Sequence, residues 1–269
     1  MENKLSERKY KLTVRGNAKM LKMVDSFATT GDYTLSYLGQ HAPRPELQEY
    51  VLEEHEVKLT EYYDPNTYQV IQYVNKIAHI YNRQHVCINN GGDIKGLLNL
   101  PEIKTKWDNL KRELMQTNPI AAFEVIRHKD REMANPPELI ENLSNSHFMH
   151  LFLYTFNATA DNISYTEQRK TRDRMGIGFL LPVNLTYTTE QKDGKYITTT
   201  ESVLNEKSNE IDKKLIMQVT GEKALDVKHF TKATFERDAQ GNLLSAEMQV
   251  YEQLNNDYKT DLYLNLESI

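Results

Sequence analysis

Three stretches decide the fold class: VKHFTKATFE at Val227–Glu236, LLSAEMQVYEQL at Leu243–Leu254 and LYLNL at Leu262–Leu266. In the last, Leu262, Leu264 and Leu266 alternate with Tyr263 and Asn265. A period of two puts alternate side chains on opposite faces, so each stretch reads as a strand with one apolar face. Turns are expected at Asp238–Asn242 and at Asn255-Asn256-Asp257, which makes the three a β meander. Upstream, Val183–Thr189 and Tyr196–Val203 are rich in β-branched residues and join through Lys192-Asp193-Gly194, another hairpin signal. Ser208–Val219 between them and the meander suits a short helix as well as a strand. The C-terminal β region is expected to span 176–267.

The N-terminal third repeats the pattern. Tyr10, Leu12 and Val14 interleave with Lys11, Thr13 and Arg15. Gly16-Asn17 reads as a turn returning through Met20–Val24, and Thr30-Gly31-Asp32 as a turn before Tyr33, Leu35 and Tyr37. Glu49–Leu59 carries Glu53, Glu54, His55 and Glu56, which suits a solvated or edge strand. This gives a β meander over 8–60.

Helical spacing lies between the two β regions. Pro65 behind Asp64, with Val70, Val74 and Tyr81, predicts a helix over 66–82. A hairpin over 84–98 turns at Asn90-Gly91-Gly92-Asp93. Ile103, Trp107, Leu110 and Leu114 form an apolar stripe that opens a helical block over 99–157, punctuated by Pro119 and by Pro136-Pro137. Residues 158–174 are polar and read as a surface loop. The layout predicts an α+β fold of one unit, 1–269: a mostly antiparallel, curved sheet covered by the inserted helical block. Alternating βαβ units are absent, which excludes a doubly wound parallel sheet. The inferred layout resembles the lipid-carrier half-barrels of the bacterial envelope, with no shared motif.

Composition narrows the function. A net charge of −5 and a pI near 5.9 give no general attraction to nucleic acid. Cys87 is the lone cysteine, which excludes an internal disulfide and a multi-cysteine zinc site. No run approaches the roughly 20 apolar residues of a membrane helix. The charged first residues lack an apolar export segment, so a cytoplasmic location is expected.

Chemical motifs are sparse. There is no G-x-S-x-G elbow, no H-E-x-x-H, and no phosphate loop at Asn90-Gly91-Gly92 or Gly176-Ile177-Gly178, which read as turns. His85 and Cys87 share a strand face, and Cys87 is read as a packed apolar residue rather than a nucleophile. His147 and His150, spaced i, i+3, are weak metal candidates. The basic residues Arg169, Lys170 and Arg172 form a candidate binding element in the expected loop. Tyrosine is abundant, with 16 against 8 phenylalanines and 1 tryptophan, and Tyr33 and Tyr37 are candidates for a binding face. No cofactor is implied. The leading expectation is a non-enzymatic binding or interaction protein, with a protein partner preferred over a small apolar ligand. The alternatives are a hydrolase-like enzyme assembled from His55, His85, His147 and His150 with Glu53 or Glu141, and a structural subunit of an assembly.

Overall fold

The computed structural model describes residues 4–21, 23–62, 74–117, 119–157, 164–208, 210–221 and 225–269. Its strands are β1 (Ser6–Met20), β2 (Met23–His41), β3 (Arg44–Tyr62), β4 (Arg83–Ile88), β5 (Ile94–Leu97), β6 (Ser164–Arg172), β7 (Leu180–Lys192), β8 (Lys195–Leu204), β9 (Lys228–Arg237), β10 (Leu243–Asn255) and β11 (Tyr258–Ser268). They form one open antiparallel sheet in the order β5-β4-β3-β2-β1-β11-β10-β9-β8-β7-β6. The helices are α1 (Leu100–Thr117), α2 (Pro119–Ala134), α3 (Pro136–Ser144), α4 (His147–Tyr154) and α5 (Lys213–Thr220). The α+β class and the antiparallel sheet are as the patterning predicts. Four of the helices fall in the expected block between β5 and β6. No helix among the described residues is long and apolar enough to cross a membrane.

Contacts divide the chain into two compact units, Met1–Lys9 with Asp32–Glu56 and Pro65–Leu153, and Tyr10–Gly31 with Val57–Asp64 and Tyr154–Ile269. In the first unit the α1 stripe Ile103, Trp107, Leu110 and Leu114 is buried. It packs with Ile77, Ile80, Ala122, Ile126, Met133, Leu139 and Leu143 into one apolar core. Pro136 occupies the first turn of α3, where a missing N–H removes nothing from the helix. Most of the helix predicted over 66–82 lies outside the described residues; residues 74–78 are helical and run into a 3-10 turn at His79–Tyr81.

In the second unit the cross-strand register keeps one face continuous. Leu12 faces Leu266, Ala246 faces Leu266 and Phe235, and Val14, Leu264, Met248 and Ala233 form the next row. All eight are at most 3% exposed. The ambiguous segment 208–219 resolves as α5 because its ends are capped. Asp212 Oδ1 accepts from Leu215 N at 2.9 Å, and Gly221 closes the helix at φ 69°.

The ladder corrects three expectations. Gly16-Asn17 is no turn, since β1 runs through it and pairs Gly16 with Leu262 and Asn17 with Asp261. The glycine is there for space: a Cβ would lie 2.5 Å from the Phe27 ring and 2.6 Å from Leu262. Thr30-Gly31-Asp32 likewise lies within β2. The glutamate-rich stretch is part of β3, and the pairing of that strand with β4 ends at Glu53, so Glu54, His55 and Glu56 lie past its last β4 rung. The described part of the expected loop 158–174 holds an edge strand, β6. Its polar sequence serves the edge, where charge discourages further pairing.

Candidate functional site

Most of the covered face of the second unit is apolar, and β8 interrupts it. Thr198, Thr200 and Ser202 project there, each at most 1% exposed. The register gives each a polar ladder partner on one side and an apolar one (Phe235, Ala233 or Leu185) on the other. Thr189 faces Thr198, Tyr187 faces Thr200, and Ser202 faces Thr231. One row further, His229 faces Glu252. The result is a buried polar strip from Tyr187 to Glu252 across β7, β8, β9 and β10.

Most of its groups satisfy one another. Glu252 is 1% exposed and uses both carboxylate oxygens. Oε2 accepts from Arg174 N at 2.6 Å, and Oε1 lies 3.1 Å from His229 Nδ1. A carboxylate only accepts, so Nδ1 carries the imidazole proton and Nε2 is the acceptor. Two hydroxyls converge on that nitrogen, Ser202 Oγ at 3.3 Å and Thr231 Oγ1 at 3.2 Å. Thr189 and Thr198 pair with each other at 3.0 Å.

Two hydroxyls in the strip are different. Tyr187 Oη and Thr200 Oγ1 are buried and lack any hydrogen-bond partner. They belong to residues directly opposite each other on β7 and β8, each 1% exposed. A buried polar group left unpaired costs about 1–3 kcal/mol, and native proteins hold few of them. Burial also raises the Tyr187 pKa, so its phenol stays a neutral donor and acceptor.

The Glu252 end of the strip, which holds Arg174 N, adjoins a second built feature. Asp173, 5% exposed, accepts from Ile177 N at 2.8 Å, Gly178 N at 2.6 Å and Phe179 N at 2.9 Å. Gly176 and Gly178 allow this with φ of 75° and 96°. The glycine pair read as a plain turn thus does enclose an anion, the chain's own Asp173.

The residues singled out from sequence are distributed as follows. Tyr33 and Tyr37 come together in an aromatic cluster of the first unit. Tyr33 lies 4.9 Å from Phe148, Tyr37 lies 5.1 Å from Tyr50, and Tyr50 lies 5.3 Å from Phe152. Arg169, Lys170 and Arg172 are strand residues of β6. Arg169 Nε lies 2.5 Å from Glu167, whereas Lys170 lies 3.4 Å from Glu210. A cleft of about 610 Å³ runs past Arg169 and Lys170 but not Arg172, lined also by Asn205, Lys207 and Ser208. His147 and His150 sit on α4, beside and within its buried run Phe148–Leu153. Of the scattered His and Glu candidates, His85 meets Glu49 at 3.0 Å, His55 meets Thr34 at 2.7 Å, and Glu53 meets Arg83 at 3.6 Å. Burial pushes the Cys87 thiol up to about 11, the opposite of nucleophile activation.

Sequence reading missed the strip itself. The available signal was the run of hydroxyls Thr198, Thr200 and Ser202 at period two. Its meaning depended on His229 and Glu252, which only the register brings alongside.

No protein-family model and no curated protein matches the chain. A solved structure of lipovitellin, described for its lipid–protein interactions, aligns with 100% of this chain at 10% identity and a TM-score of 0.50. This chain spans 25% of that one. The likeness is one of fold.

Proposed function

We propose that this chain is a non-enzymatic binding protein that holds a small amphiphilic ligand in its second unit. The apolar part of the ligand rests on the covered sheet face. Its polar end pairs with Tyr187, Thr200 and the adjoining Ser202. The observation that carries the reading is the pair of orphaned hydroxyls on facing residues, each 1% exposed. A ligand oxygen between them satisfies both, and its removal leaves two costly vacancies. The likeness in fold to lipovitellin, described for its lipid–protein interactions, is compatible with such a ligand. In this reading the sheet curves around the ligand, and a small molecule outranks a protein partner because the orphaned groups lie inside the unit.

The test is native mass spectrometry of the protein purified from its own host, set against the denatured mass. The expected result is a reproducible added mass of small-molecule size, at least about tenfold less retained in Thr200→Val, as befits one lost hydrogen bond. Ligand-free Thr200→Val should be about 1 kcal/mol more stable to urea than its parent, because it no longer buries an unpaired hydroxyl. A bare chain mass from the host overturns the proposal.

One observation favours a second reading. Ser202, His229 and Glu252 form a nucleophile–base–carboxylate series of the kind used in acyl transfer. Against it, Thr231 competes for the same imidazole nitrogen and Ser202 lies inside a strand ladder. Labelling of Ser202 by a fluorophosphonate would establish this reading over the first.

A further inference from the structure

The first unit gathers four side chains with metal-ligand chemistry from three neighbouring strands. Glu49 on β3 faces Cys87 on β4, and Val51, two residues along, faces His85. Glu49, Cys87 and His85 therefore share one face of the ladder. His41 ends β2, two residues after Gly39, whose φ of 105° breaks the alternation of that strand.

The distances are short. Glu49 Oε1 lies 2.5 Å from His41 Nδ1, and Oε2 lies 3.0 Å from His85 Nε2. The ligand atoms of His41, Glu49 and Cys87 all fall within 4.8 Å of one another. Cys87 is 1% exposed, whereas the side chains of His41, Glu49 and His85 are 18%, 19% and 16% exposed. The cluster thus has a buried sulfur at its floor and a wet rim through which an ion can enter.

We propose that His41, Glu49 and Cys87, joined by His85 once its ring turns from Glu49 toward the ion, form a four-coordinate site for a borderline divalent transition-metal ion of the zinc class. Two imidazoles, one carboxylate and one thiolate are the ligand types such ions select, and four is their preferred number. Hard cations that require six or more oxygens are excluded by the single carboxylate. The charges also balance. A dication, one carboxylate and one thiolate sum to zero, so the occupied site carries no net charge into its half-buried setting. Without metal, Glu49 accepts a hydrogen bond from each imidazole. On binding, each imidazole moves its proton to its other ring nitrogen, Cys87 releases its thiol proton to water, and the ion takes the place of the shared protons. One proton leaves per ion.

Cobalt(II) alone is the probe. The full chain is stripped with a chelator and titrated with cobalt while its near-ultraviolet and visible spectra are recorded. The expected result is saturation at one ion per chain, with a sulfur-to-cobalt charge-transfer band and the strong visible absorption of a tetrahedral ion. Zinc should then bleach both. Cys87→Ser should lose the charge-transfer band. Glu49→Gln, half-exposed and isosteric, should weaken binding at least about tenfold while leaving the circular dichroism unchanged. Failure of the parent to saturate, or saturation with no sulfur band, overturns the site. So does binding that is indifferent to both substitutions in folded protein.

Discussion

Glu54 illustrates how much of this molecule turns on single groups. It is half-buried on β3 and accepts from Tyr33 Oη at 3.1 Å. Desolvation holds its carboxyl above the ordinary carboxylate range, outweighing the Tyr33 hydrogen bond and the charge of His79. The folded state therefore binds this proton more tightly than the unfolded state. The associated stability is complete below the ordinary carboxylate value and is lost as pH rises through the raised one. Glu54→Gln stays neutral, so its stability relative to the parent should climb across that window and then level off. Urea denaturation at a series of pH values from acid to neutral checks this. A difference that does not change with pH would mean that Glu54 ionises as freely folded as unfolded. Its charge was plain in the sequence, and its partner was not, because Tyr33 lies on another strand. Gly16 makes the same point in reverse. Its sequence context announces a turn, yet the glycine is required by the approach of Phe27 and Leu262.

Among elements, the connection from β6 to β7 has the most specific construction. Asp173 holds three backbone N–H groups of the loop that follows it. Hydrogen bonds to a charged acceptor contribute about 1.5–3 kcal/mol each and are not additive within one cluster. Asp173→Ala should accordingly cost about 3–5 kcal/mol, read from the urea midpoint, whereas a loss below about 1 kcal/mol would show the loop to be self-supporting. The elements themselves were legible wherever the local signal was strong. The α1 stripe, the hairpin at Asp193-Gly194 and the strands from Val227 onward are as the periodicity predicts. The signal failed at β6 because an edge strand is polar for the same physical reason that a loop is. Both face water on a side where no partner strand shields the backbone. It failed in a different way at α5, where only the caps at Asp212 and Gly221 separate a helix from a strand.

At the scale of the whole molecule, the strand order places β11 between β1 and β10, so the first strand pairs with the last. Such non-local pairing makes folding slow, since the loop-closure entropy is lost before the contact forms. Removal of Tyr258–Ser268 strips the partner rows from Leu12 and Val14 on one side and from Ala246, Met248 and Val250 on the other. A chain so shortened should show no cooperative thermal transition for the second unit by circular dichroism. A sharp transition would mean that β1 and β10 close on each other without it. By itself, the sequence determined the class of this protein. Period two and period 3.6 are local properties of a chain, and they set the strands, the helical block and the absence of parallel βαβ units. Its net charge, its lone cysteine and its lack of common catalytic motifs were equally open to reading. Only the tertiary structure decided which groups meet. His229 and Glu252 are ladder partners, Glu49 lies between two imidazoles, and Tyr187 and Thr200 face each other with both hydroxyls unpaired. These relations depend on register between strands, and a slip of one residue would turn every one of those side chains to the other face.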